Sequence, residues 1–195
     1  MEWNFVFIFN SVLLGVGLAM DAFSVSMANA LNEPTMKRKK MCGIAGVFAF
    51  FQALMPMIGW ICIHSVVQYF TAFEKFIPWI ALIFLLYIGG KMLLDGIKNA
   101  DGDEEESSGV GISALLVQGV ATSIDALSVG FTIADYGFVM ALVCALIIAA
   151  VTFVICMVGL LIGKEFGTKL SNKAAILGGA ILIFIGIEIF VTGVF

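Results

Sequence analysis

The chain has 195 residues, 62% of them hydrophobic and only 12% charged, with a formal net charge of −4 and a mean hydropathy of +1.11. Soluble domains sit near 45–50% apolar and about 25% charged, so a water-soluble catalytic domain is excluded and lipid is the expected solvent. One spanning helix takes about 20 apolar residues, which leaves room for about six. Continuous apolar runs also exclude a membrane β-barrel, whose strands alternate in polarity.

Taken in chain order, the runs are 5–30, 41–64, 76–98, 110–133, 137–162 and 173–194. Met1-Glu2-Trp3 lacks the basic region of a cleavable signal peptide and is expected to lead directly into the first helix. Asn32-Glu33-Pro34 and the basic run Lys37 to Lys40 break the chain first. Glu74-Lys75 and Pro78 break it next, and the acidic stretch 99–109 separates two halves, 1–98 and 110–195. Asp135-Tyr136-Gly137 is a short turn, and Lys164 to Lys173 is expected to be the last polar loop. Loops one, three and five hold eight basic residues against Lys75 alone on the other side. Cytoplasmic loops are enriched in Lys and Arg, so both termini are expected outside.

The halves resemble each other. Asp21-Ala22-Phe23-Ser24-Val25 in the first helix matches Asp125-Ala126-Leu127-Ser128-Val129 in the fourth. Met57-Ile58-Gly59 matches Met157-Val158-Gly159, and Leu85 to Gly89 matches Leu182 to Gly186, in the same order. Three helices per copy is an odd number, so the second copy is inverted. The expectation is an all-α membrane protein of six transmembrane helices in two inverted three-helix repeats, an architecture whose substrate sites lie near the midplane at the repeat interface.

Charged side chains inside membrane helices cost roughly 2.5–3.5 kcal/mol on insertion scales and mark ion or substrate pathways. Asp21 and Asp125 fall past the middle of oppositely directed helices, on opposite sides of the midplane. Ser24 and Ser128 each follow their aspartate by three residues and share its face. Thr122 precedes Asp125 by three, and Gln118 by two turns. Gln52 stands four residues before Pro56, which frees a backbone carbonyl. The assembled donors are oxygens, which suit Mg²⁺, Ca²⁺ or Mn²⁺ rather than thiolate-seeking metals. The candidate metal residues are therefore Asp21, Asp125, Ser24, Ser128, Thr122 and Gln52. Lys91 and Glu188 align in the repeat and are candidates for coupling or for lining the path. A structural role, with the aspartates protonated and bonding between helices, is the alternative.

Asp95, Thr192 and His64 read as interfacial, the Asp101–Glu106 run as a solvated linker, and the methionines as packing. Cys42, Cys62, Cys144 and Cys156 form no CxxC pair, so neither disulfides nor a zinc site is expected. Gly159-x-x-x-Gly163 and Gly178-Gly179 are expected to let helices approach closely. No GxxxxGK[ST] phosphate loop is present, so transport would draw on an ion gradient, with proton exchange the natural partner for a carboxylate that releases metal.

The segments GLAMDAFSVSMA, Gly17 to Ala28, and GVATSIDALSVGF, Gly119 to Phe131, resemble the paired signatures of the MntP-type manganese efflux pumps. Pro56 to Trp60, Gly89 to Met92, the acidic third loop and Lys173 to Gly179 also fit, so the resemblance covers essentially the whole chain. It implies export of Mn²⁺, as substrate rather than cofactor, across the bacterial cytoplasmic membrane, within the lysine-exporter-like superfamily, with Asp21 and Asp125 as the family's intramembrane aspartates. Family members can carry a glutamate in helix two where this chain has Gln52. A charge needed there would alter the ion stoichiometry or fall to Glu188. The rival readings are an amino-acid exporter, which would need a central base, and a passive divalent-cation channel. An intramembrane enzyme ranks last, for want of HExxH or a nucleophile–base pair. A homo-oligomer is left open.

Overall fold

The computed structural model describes residues 5–65, 77–98, 111–170 and 173–194. Among these residues the regular structure is entirely helical: α1 (Phe5–Asn32), α2 (Arg38–Ser65), α3 (Ile77–Lys98), α4 (Ile112–Ala121), α5 (Ile124–Thr132), α6 (Phe138–Leu170) and α7 (Lys173–Val194). The chain is a multi-pass membrane protein. Among the described residues, four stretches are long and apolar enough to cross a bilayer: 5–32, 38–62, 112–132 and 138–167. The third of these is the α4–α5 pair taken together. The acidic linker and the Glu74-Lys75 break lie outside the described residues, as do the side chains of His64, Asp95 and Thr192.

The long sixth helix shows how one sequence faces two solvents. Cys144, Ile148, Thr152, Cys156 and Leu160 are buried at a spacing of four, while Leu142, Leu146, Val154, Val158 and Leu161 are exposed. Both faces are apolar, as expected where lipid replaces water outside the bundle. Two ends differ from the sequence reading. The expected polar loop from Lys164 is helix as far as Leu170, and α2 begins at Arg38, inside the basic run. Lys164 Nζ donates to the Met36 carbonyl at 2.9 Å, and Lys40 pairs with Glu33 at 2.5 Å. Lys164 thus fastens the α1–α2 connection to α6, and Lys40 closes that connection on itself. The four cysteines are free.

Packing is closest between α1 and α6 and between α3 and α7, followed by α2 with α6 and α2 with α5. Glycines set the direction of each pair. A Cβ at Gly15 would meet Ile148 and Val151, one at Gly159 the Phe23 carbonyl, and one at Gly167 the Pro34 ring. Residue numbers rise together, so α1 and α6 run parallel. Gly119 packs on Val47 and Phe51, and Gly130 on Pro56 and Trp60, so α2 runs parallel to α4 and α5. Gly89 lies against Gly179 and Ile183, and Gly179 against Leu93, so α3 and α7 are antiparallel. Trp79 stacks edge-on against Phe190, with centroids 4.6 Å apart, at one end of that pair.

Candidate functional site

The fourth apolar run is not one helix. It stops at Ala121, turns through Thr122 and Ser123, and restarts at Ile124. Hydroxyls close the broken end. Thr122 Oγ1 donates to the Gln118 carbonyl at 2.9 Å, and Ser123 Oγ to the Gly119 carbonyl at 2.5 Å. Such back-bonding competes with the helix ladder and favours a bend. In a membrane, irregular backbone survives only where protein or a polar cavity surrounds it, and Thr122 and Ser123 are indeed buried.

The restart puts Asp125 in the first turn of α5. Helix N-termini present free N–H groups and favour negative charge, and the Ala126 N–H donates to Asp125 Oδ1 at 2.9 Å. Asp125 and Ser128 remain exposed, on the same side of a short helix whose Ala126, Leu127, Val129 and Gly130 are buried. Asp21 and Ser24 on α1 are half-buried, and Ser24 Oγ donates to the Met20 carbonyl at 3.0 Å. The Asp21 and Asp125 carboxyl groups lie within electrostatic reach of each other, and Glu188 of α7 lies within reach of Asp21. The two aspartates of the paired motifs thus act on each other electrostatically, and Glu188 acts on one of them. Lys91 is exposed and enters no ion pair among the described residues.

Gln52 is fully buried on α2. Its Nε2 donates to the Leu18 carbonyl at 2.6 Å, one turn before Asp21, while its Oε1 has no partner. Thr122 keeps its oxygen near Asp125 in sequence, but its proton is spent on the helix break. Among the described residues no three His, Cys, Asp or Glu side chains form a metal-holding group. A divalent ion held by the two aspartates would need neutral oxygens to fill its shell, since hard cations of this size take about six ligands.

Sequence reasoning passed over a second polar layer. Asn29 Nδ2 donates to Gln118 Oε1 at 2.8 Å, and Gln118 Nε2 to Asn29 Oδ1 at 3.2 Å, with both residues fully buried. Asn29 follows Asp21 by two turns, and Gln118 precedes Asp125 by two turns. The amide pair thus joins the same two strands of the bundle as the aspartates, one layer further along. That symmetrical spacing was the available signal. Asn29→Leu or Gln118→Leu alone leaves a buried amide unpaired and is expected to cost about 1–3 kcal/mol. The double replacement is expected to recover most of that loss, as measured by thermal unfolding in detergent.

Comparison with known proteins bears on this arrangement. The family model Mntp, described as "Putative manganese efflux pump", matches residues 35–190. A protein of that name, MntP, from Clostridium botulinum (strain Loch Maree / Type A3) is 41% identical over 189 residues, covering 92% of each chain. Its namesake from Clostridium perfringens (strain 13 / Type A) is 40% identical over 205 residues, covering 93% of each. Another, from Ruminiclostridium cellulolyticum, is 40% identical over 184 residues, covering 94% of this chain and 95% of the relative. No solved structure matches.

Proposed function

The chain belongs to the MntP manganese efflux pump family, and from that premise we propose that it exports Mn²⁺ from the cytoplasm across the plasma membrane by alternating access. The observation that carries the reading is the electrostatic reach between Asp21 and Asp125, the latter at the restart of a broken membrane helix. Two carboxylates balance the charge of one divalent cation. Discontinuous helices are where secondary transporters expose backbone and side-chain ligands to an ion near the midplane. Asp21 and Asp125 act as principal ligands, with Ser24, Ser128, Thr122 and Gln52 supplying or orienting neutral oxygens. Glu188 is the acid positioned to modulate Asp21, and Lys91 is left on an exposed face.

The architecture in this reading is six spans in two inverted repeats, 1–98 and 110–195, with the acidic linker in the cytoplasm and both termini outside. Parallel α1 and α6, parallel α2 and α4–α5, and antiparallel α3 and α7 are the pairings such an arrangement requires. One reciprocal contact supports it further. A Cβ at Gly159 would strike the Phe23 carbonyl, and one at Gly59 the Leu127 carbonyl. These are matched positions of the two halves in both partners.

Proton exchange follows from the ligands, because a carboxylate that releases Mn²⁺ can take up a proton in its place. The test is Mn²⁺ flux into proteoliposomes of the purified chain, with and without an imposed pH gradient. A gradient directed to drive protons against the metal is expected to raise the initial rate about tenfold or more. Flux that is fast and indifferent to the gradient would instead describe a channel, and no Mn²⁺ flux at all would remove the assignment.

A further inference from the structure

Hydroxyls in membrane helices commonly spend their proton on the carbonyl one turn back. Ser11, Ser24, Thr122, Ser123 and Thr132 all do so here, to Phe7, Met20, Gln118, Gly119 and Ser128. Thr152 on α6 does not, and neither does Ser26 on α1. Thr152 is fully buried, and its Oγ1 has no hydrogen-bond partner. A buried polar atom left unpaired costs free energy that valine, of the same shape, would not incur.

The position of Thr152 gives that oxygen a setting. Gly15 of α1 packs on Ile148 and Val151, and the Phe23 carbonyl lies against Gly159. Thr152 falls between these contacts, on the buried stripe that runs Ile148, Thr152, Cys156, and so at the level of Leu18 on the parallel helix α1. Leu18 is the residue whose carbonyl accepts Gln52 Nε2, which leaves Gln52 Oε1 unpartnered as well; the third such buried oxygen among the described residues, Ser26 Oγ of α1, lies beside the Cys156 thiol, one turn further along the same stripe. Asp21 follows Leu18 by three residues, about 4.5 Å along the axis. Gln52 and Thr152 are also counterparts in the two halves: the register that matches Met57 with Met157 and Gly59 with Gly159 matches 52 with 152. Two orphaned hard oxygens, on two helices, thus share a level next to the half-buried aspartate.

We propose that Thr152 Oγ1, together with Gln52 Oε1, is a neutral oxygen donor to the divalent cation on the Asp21 side of the site. The inference rests on the transport reading above and deepens it by naming a ligand residue that the aspartate motifs do not contain. Neutral donors on this layer hold the metal without adding charge, so the two aspartates remain the only groups that must exchange it for protons. The hydroxyl has no partner in the protein because its partner is the cargo.

The test compares wild type, Thr152→Val and Thr152→Ser in two assays: Mn²⁺ binding to the purified chain followed by Mn²⁺ electron paramagnetic resonance, and initial rates of Mn²⁺ uptake by everted vesicles. Thr152→Val is expected to fold at least as stably as wild type, to bind Mn²⁺ about tenfold more weakly, and to raise KM by a similar factor with little change in maximal rate. Thr152→Ser is expected to restore most of both. If Thr152→Val binds and transports as wild type does, the proposal is overturned while the transport reading stands. If the wild-type chain neither binds nor transports Mn²⁺, the reading fails and takes this ligand with it. A Thr152→Val chain with lowered melting temperature and no rescue by serine would make Thr152 a packing residue, which also overturns it.

Discussion

Asp21→Asn and Asp125→Asn are each expected to reduce Mn²⁺ export at least a hundredfold while the protein inserts and accumulates normally. Asparagine keeps the size and one oxygen of aspartate but removes the charge that offsets a divalent cation. With one carboxylate left, the ion would carry an uncompensated positive charge into a low-dielectric layer, where unpaired charge is expensive. A hundredfold loss corresponds to about 2.7 kcal/mol, at 1.36 kcal/mol per decade, which is modest for a charge removed from such a site. The two substitutions differ in their side effects. Asp125 also accepts the Ala126 N–H at the start of α5, and asparagine can still make that bond, so the broken helix is retained. Initial rates in everted vesicles, normalised to protein inserted, measure the effect. Wild-type rates in either variant would mean that the carboxylates serve the fold rather than the ion.

Large effects on stability are expected at Gly130 and Gly159. A Cβ at Gly130 would meet the Pro56 carbonyl at 2.5 Å, and the Gly59 Cα and Trp60 nitrogen at 2.6 Å. One at Gly159 would meet the Phe23 carbonyl at 2.8 Å. These obstacles are mostly backbone, which cannot swing aside as the end of a flexible side chain can, so α5 must move off α2, and α6 off α1. Overpacking of this kind costs about 1–3 kcal/mol per site, and the alanine variants should sit at the upper end. Gly17→Ala is the control, since a Cβ there meets nothing within 4 Å, and alanine is the better helix former. Melting temperatures in detergent should fall clearly for Gly130→Ala and Gly159→Ala and hold or rise for Gly17→Ala. Because Phe23 and Gly130 flank the two aspartates, transport is expected to fall together with stability.

Much of the arrangement was legible in the sequence. Aspartates in apolar runs are few and costly, so the paired D-A-x-S-V motifs single out Asp21 and Asp125 from the sequence alone. Gly159, Gly163 and Gly179 were readable as points of close approach, although their partners were not. The break at Thr122-Ser123 was hidden because neither residue is a strong helix breaker, and the hydropathy of 112–132 stays high enough for a span. Only the back-bonds of both hydroxyls disclose the interruption. The Asn29–Gln118 pair was missed for a related reason. Gln118 was read with Asp125, its neighbour along the chain, whereas its amide is consumed by a residue 89 positions away. Thr152 looked like an ordinary threonine in an apolar run. Its distinction is the hydrogen bond it does not make, which no sequence pattern displays. Conversely, Lys91 and Glu188 align as a pair, yet they differ in the structure: Glu188 acts electrostatically on Asp21, while Lys91 is exposed and enters no ion pair among the described residues.

The account stands most directly on whether this chain lowers cellular manganese. The decisive measurement is the manganese content, by elemental analysis, of an export-deficient bacterial host grown with added Mn²⁺ and expressing either the native chain or the Asp21→Asn/Asp125→Asn variant at matched membrane levels. Content several-fold lower with the native chain, and unchanged with the variant, is the predicted result. Equal manganese in both, with both proteins confirmed in the membrane, would contradict it.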